Sequence, residues 1–162
     1  MTIIYLGIDP GLNNTGWGII SKEQNKLSFI SSGVITTDLK TSIEKRLSII
    51  FNELNKVISL YDPQECAIEN IFVNSNNLSS LKLGYARAAA ILTIGLAQKS
   101  FFEYAPNLVK KATVGKGKAS KEQVQFMVNV ILPKAKVTNE HAADALAVAI
   151  CHANHSNLKA TK

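Results

Sequence analysis

The stretch IIYLGIDPGLNNTGWGIIS, residues 3–21, sets the architecture. Its first part, IIYLGID (3–9), is a short apolar run rich in β-forming residues that stops at Pro10-Gly11, a turn pair. TGWGIIS (15–21) and KLSFISSGVIT (26–36) read as two further strands, joined through the polar KEQNK (22–26). Three strands in succession, linked by connections too short for a crossover, make an antiparallel meander.

Beyond the meander, Ile43, Leu47, Ile50, Leu54, Val57 and Ile58 recur at helical spacing from Ser42 to Leu60, and Asp62-Pro63 closes that helix. ECAIENIFV (65–73) resumes as a strand. A long helix from about Asn77 to Gln98 has small residues and few charges in its second half, and is expected to bury against the domain or a second subunit. A short strand FFEYA (101–105) follows, then a helix opened by Pro106, the loop VGKGKASK (114–121), a helix from Lys121 to near Pro133, and a last helix from near Asn139. This alternation predicts an α/β protein, a mixed five-stranded sheet flanked by helices. At 162 residues, one domain is expected over residues 1–155, with a polar tail over 156–162.

The chain carries 18 Lys and Arg against 12 Asp and Glu, a formal net charge of +6. On a folded protein this surplus favours a polyanionic partner, nucleic acid ahead of a membrane surface. Cys66 and Cys151, the only cysteines, read as small buried hydrophobes of a reduced protein. The N-terminal apolar run is too short for a secretory leader, and no segment approaches the ~20 apolar residues of a membrane span. A cytoplasmic protein without membrane association is expected.

In NEHAADALAVAI (139–150), Asp144 sits on a helix made almost wholly of alanine, leucine, valine and isoleucine. A carboxylate in such company is unstable without a compensating partner. Asp9 ends the first strand before PGLNNTG, a turn expected to expose its side chain at the sheet edge. Glu69 stands mid-strand in AIENIF, where burial on both sides is expected. Alone, either acid is more often a turn cap or a satisfied core carboxylate than a catalytic group. Three together differ, because clustered carboxylates repel and are stable chiefly when protons or cations neutralise them. Mg²⁺ suits oxygen ligands, and two such ions about 3.5–4 Å apart hydrolyse phosphodiesters, the linkage of a polyanionic substrate.

Glu140 and His141 lie about 40° and about 60° from Asp144 around the helix, so spacing does not choose between them. In a first helical turn an acid also simply favours the helix dipole, and a histidine is merely polar. Lys110, Lys111, Lys116, Lys118 and Lys121 cluster with Gly115 and Gly117, a pattern that neutralises phosphates and lets the backbone approach them. For any one of these lysines a solvated loop is the plain reading. Lys82 and Arg87 read as ordinary helix surface. Phe72 is either core or a stacking platform for an unpaired base, worth about 1–3 kcal/mol. Cys151, His152 and His155 lack the further ligands that structural zinc requires. Tyr5 and Trp17 read as core aromatics.

GIDPGLNNTGWGII (7–20), AIENIF (67–72), LKLGYARAAA (81–90), FEYAPNLVK (102–110) and HAADALAVAICH (141–152) together resemble, in this order, the RuvC family of Holliday-junction resolvases. Five ordered motifs over roughly residues 3 to 155 are far more specific than any single one. The resemblance implies an RNase H-like fold, a homodimer, and Mg²⁺-dependent symmetric nicking of four-way junction DNA in recombination and repair, in concert with the RuvA and RuvB branch-migration proteins. Asp9, Glu69 and Asp144 match the family's catalytic, metal-holding acids. Phe72 matches an aromatic used at the junction, and Lys110 and Lys121 match basic residues near the cleaved strand. Lys116 and Lys118, from the same lysine cluster, join the expected DNA-binding set. The helix after Asn77 corresponds to the dimer-forming segment.

One position departs from the family pattern. Many members carry a fourth acid where this chain has His141, and that alignment, not helix geometry, favours His141 over Glu140 as the fourth catalytic and metal-site residue. A neutral imidazole can ligate a metal or orient the attacking water, but it removes one negative charge from the cage. Such a site is expected to use Mn²⁺ at least as well as Mg²⁺ and to lose activity as His141 protonates. Two rival readings exist. A junction-binding module that has lost catalysis has no reason to keep three acids in apolar surroundings. A phosphotransferase of the actin and sugar-kinase type, suggested by DPGLNNTG, needs a second phosphate loop and a duplicated domain.

Overall fold

The computed structural model describes residues 1–71 and 77–159. Strands β1 (Thr2–Asp9), β2 (Asn14–Glu23), β3 (Lys26–Thr36), β4 (Glu65–Glu69) and β5 (Ser100–Tyr104) form one sheet in the order β3-β2-β1-β4-β5. The first three pair antiparallel, as the meander predicts, whereas β4 and β5 are parallel to β1. Helices α1 (Ile43–Tyr61) and α2 (Asn77–Leu96) supply the two crossovers and cover one face. The other face carries α3 (Pro106–Val114), α4 (Lys121–Ile131) and α5 (Glu140–Lys159).

Strand parity aims the acids. On β1, Leu6 and Ile8 enter the core under α1 and α2 while Tyr5 enters the core under α5; alternation therefore turns Gly7 and Asp9 toward α5. On β4, Cys66 and Ile68 point to the first core and Ala67 to the second, so Glu69 also faces α5. The last paired rung between these strands is Ile8 with Ile68, which makes Asp9 and Glu69 the next residues on neighbouring strands.

α5 lies close against the sheet. A Cβ on Gly7 would fall 2.1 Å from the Ala145 carbonyl oxygen, and one on Gly16 would fall 2.0 Å from that of His141. The glycines of the strands and the alanines of the helix are thus two halves of one interface: Ala142, Ala143, Ala145, Ala147 and Ala149 are all buried. The ends of the other helices follow local rules. Asp62 closes α1 in the left-handed region at φ 46°, and Ser120 and Gln123 form a reciprocal capping box at the start of α4.

β4 is shorter than its apolar run suggests. Asn70 N still donates to Tyr104 O at 2.7 Å, but the Asn70 side chain then accepts from Ile71 N at 2.9 Å and turns the chain out of the sheet. Glu69 is therefore a strand-end residue, not a mid-strand one. Arg87, expected on the surface, is buried. α5 runs to Lys159, and Ser156 Oγ lies 3.0 Å from the Tyr5 hydroxyl, so residues 156–159 of the expected tail are helical. Phe72 lies outside the described residues. Among the described residues, no helix is long and apolar enough to cross a membrane. Cys66 and Cys151 are free and buried, and burial pushes each thiol up to about 12.

Candidate active site

Where β1 and β4 end and α5 begins, Asp9, Glu69, His141 and Asp144 line one cavity of about 350 Å³, together with Lys110 of α3 and Lys121 of α4. Asp9 is not displayed at an open edge: β1 is the central strand, and the Asp9 side chain is only 23% exposed. His141 Nδ1 lies 3.4 Å from Asp9 Oδ2. Lys121 Nζ lies 3.9 Å from Asp144 Oδ2 and 3.2 Å from Glu140 Oε2. Glu140 itself is half exposed and outside the cavity lining, with Oε1 3.7 Å from His141 Nε2. The geometry separates two residues that helical spacing left equivalent: His141 borders the cavity, and Glu140 tethers Lys121 beside it.

Charge in this cavity is poorly compensated. Burial, then the neighbouring Asp9 and Asp144 carboxylates, push Glu69 up to about 7. Asp9 is pushed up to about 6 by burial and by Asp144, while its hydrogen bond with His141 acts the other way. Asp144 is raised by burial and opposed chiefly by Lys121. Lys121 is held charged by Glu140 first and by Asp144 after it. Three carboxylates thus repel one another in a partly desolvated space that two lysines only partly neutralise.

Among the described residues, no three His, Cys, Asp or Glu side chains stand close enough to form a closed ligand cluster. The four instead border a shared space, and their donors are hard carboxylate oxygens with one imidazole and no thiolate. Mutually repelling oxygen donors around a cavity fit divalent cations, whose charge the protein alone does not supply.

Lys116 and Lys118 are exposed on the connection between α3 and α4 and do not line the cavity. Reading of the sequence missed three supporting residues. Asn14 lines the cavity, and its Oδ1 accepts from Thr36 Oγ1 at 3.0 Å. Arg46, buried on α1, donates to Asn13 Oδ1 at 2.5 Å and Thr37 Oγ1 at 2.9 Å, clamping the turn that follows Asp9. Arg87, buried on α2, donates to the Glu69 carbonyl oxygen at 2.6 Å. A signal existed for both arginines. Arg46 begins the four-residue row of Ile50, Leu54 and Ile58, and Arg87 stands three residues before Ala90 beside the row of Ala86, Ala90 and Ile94, so each lies on a buried stripe.

The family model described as crossover junction endodeoxyribonuclease RuvC matches residues 5–152. The chain belongs to the RuvC family. A curated RuvC of Bartonella henselae is 46% identical over 154 residues, covering 95% of this chain and 91% of the relative. One of Wolbachia sp. subsp. Drosophila simulans is 52% identical over 149 residues, covering 91% and 92%. Both relatives are named crossover junction endodeoxyribonucleases, DNA-cleaving hydrolases. Among solved structures, T. thermophilus RuvC in complex with Holliday junction substrate matches with a TM-score of 0.89 at 31% identity, covering 97% of this chain and 96% of that one. The yeast mitochondrial Holliday junction resolvase Ydc2, at 12% identity and a TM-score of 0.63 over 95% of this chain and 83% of its own, shares the fold. The five-motif resemblance is borne out, and with it the RNase H-like α/β fold of RuvC.

Proposed function

We propose that this RuvC-family chain is a Holliday-junction resolvase acting in DNA recombination and repair, which cuts four-way junction DNA by divalent-metal-dependent phosphodiester hydrolysis and places paired symmetric nicks as a homodimer. The observation that carries this reading is the meeting of Asp9, Glu69, His141 and Asp144 in one cavity flanked by Lys110 and Lys121.

Mg²⁺ is the cofactor that these residues would hold, two ions per site with Mn²⁺ able to substitute; when bound, such a pair activates water and stabilises the departing oxygen. Asp9 and Glu69 offer carboxylates from adjacent strand ends, and Asp144 offers a third from the helix packed across them. His141, whose Nδ1 lies 3.4 Å from Asp9 Oδ2, would complete the ligand set or orient the attacking water. Lys110 and Lys121 neutralise the phosphate of the strand being cut. Lys116 and Lys118 contribute salt-sensitive contacts to phosphates further along the DNA. Phe72 stacks on an unpaired base at the junction.

Two nicks in a two-fold junction require two sites related by a matching axis. Support for a second copy comes from α2, whose Leu78, Leu81, Tyr85, Leu92 and Leu96 are exposed while Ala86, Ala90 and Ile94 are buried. An apolar groove between α1 and α2, bordered by Leu47, Phe51, Tyr85, Leu92 and Leu96, extends that face. RuvA and RuvB as working partners, and a cytoplasmic location, belong to the same reading. The test is Asp9→Asn against wild type on a four-way junction: cutting is lost and junction binding is kept. Wild-type cutting by Asp9→Asn contradicts the assignment.

A further inference from the structure

Arg87 reaches from α2 to the root of the site. Its Nη1 donates to the main-chain carbonyl oxygen of Glu69 at 2.6 Å, and its Nη2 pairs with the Glu103 carboxylate of β5. The residue is only 8% exposed. The contact falls where the sheet runs out: the last β1–β4 rung is Ile8 with Ile68, and Pro10, just past Asp9, has no N–H to continue the ladder. A guanidinium is costly to bury unless its hydrogen bonds are replaced, and here they are replaced by the backbone of a proposed site residue and by a carboxylate on the neighbouring strand.

We propose that Arg87 is a positioning residue for the cleavage reaction. It holds the Glu69 backbone, and through it the carboxylate, from the same helix whose opposite side is proposed to meet the second copy. Glu103 takes the other arm of the guanidinium and ties it to β5. A lysine offers a point charge in place of a planar fork, so it does not reproduce the geometry of the bond to the carbonyl. Misplacing a reacting group by about 1 Å costs on the order of 10²-fold in rate, which sets the expected scale. The proposal rests on the reading of Glu69 as a cation-holding acid.

The experiment compares wild type, Arg87→Gln, Arg87→Lys, Glu103→Gln and Glu69→Gln. Each is measured for folding by circular dichroism and melting, for junction binding, for single-turnover cleavage across a Mg²⁺ titration, and for Mn²⁺ affinity of the DNA-free protein by spin-resonance titration. Arg87→Gln should keep its fold and bind the junction within about 3-fold of wild type, while its cleavage rate falls about 10²-fold. Its half-saturating Mg²⁺ concentration should rise and its Mn²⁺ affinity fall together. Arg87→Lys should lose less, and Glu103→Gln, which leaves the carbonyl bond in place, should stay within about 3-fold of wild type.

A folded Arg87→Gln with wild-type rate and cation requirement overturns the proposal, and if Arg87→Gln fails to fold, an unimpaired Arg87→Lys does the same. An equal loss in Glu103→Gln also overturns it, because the arginine would then serve only to tie α2 to β5. A wild type that does not cut, or a Glu69→Gln that cuts normally, overturns the reading of the site itself and is distinguishable from both.

Discussion

His141 Nδ1 lies 3.4 Å from Asp9 Oδ2, so an imidazole on α5 faces the carboxylate that ends the central strand. An imidazole at this place makes the site less negative by one charge than a four-acid cage, and it suits Mn²⁺ relatively better than Mg²⁺. His141→Asp should therefore raise the ratio of the Mg²⁺-supported to the Mn²⁺-supported rate, by about 10-fold if the added ligand contributes about 1.4 kcal/mol of selective binding. Initial rates in each metal check this. An unchanged ratio, together with a wild-type rate in His141→Ala, removes His141 from the site.

The raised carboxyls make a stability prediction with a definite sign. Glu69 at about 7 and Asp9 at about 6 stand above the value of about 4 expected in the unfolded chain. Between those values the folded protein binds more protons than the unfolded one, so metal-free stability falls as pH rises from about 4 to about 7 and stays lower above. Glu69→Gln removes a repelling charge and should stabilise the metal-free protein at pH 8 by about 1–3 kcal/mol, read as a higher Tm. The same variant should lose most of the Tm increment that Mg²⁺ gives wild type. A metal-free Tm that does not change with pH across this window contradicts the repulsion.

The close approach of α5 is testable apart from the chemistry. A Cβ at Gly16 would meet the His141 carbonyl oxygen at 2.0 Å, so Gly16→Ala must push the helix away. Overpacking of this kind should cost about 3 kcal/mol in urea unfolding, and cleavage should fall in the fraction that remains folded. Gly84→Ala is the control: nothing lies within 4 Å of its Cβ, and helix propensity makes it neutral or stabilising by up to about 1 kcal/mol. Equal stability of the two variants contradicts the packing account.

The α2 face predicts its own variant. Ala89 is buried in the chain's own core, so a charge there reports on folding, not on association. Leu92 is 57% exposed, and Leu92→Glu should leave the circular dichroism unchanged while shifting sedimentation from dimer to monomer at micromolar concentration. A Leu92→Glu protein that stays dimeric places the interface elsewhere.

How much of this was legible beforehand follows from which forces act locally. The meander and the helices rest on periods of two and of 3.6 residues, which the sequence carries openly. The strand end at Glu69 does not, because the Asn70 side chain and the lack of a further rung beside Pro10 decide it through tertiary pairing. Glu140 and His141 differ by too little around the helix for spacing to separate them; the packing of α5 on Gly16 sets which one borders the cavity. Arg46 and Arg87 were hidden for another reason. A cation within a buried stripe looks like surface until the carbonyls and carboxylates that receive it are in view.

The central claim is that the carboxylates around this cavity cut DNA, and mapped cleavage of a four-way junction by wild type and Asp144→Asn tests it most directly. With Mg²⁺, wild type should leave two nicks placed symmetrically on opposing strands, and Asp144→Asn should bind the same junction and leave none. Wild-type nicking by Asp144→Asn, or a wild type that binds the junction and never cuts it, would contradict the account.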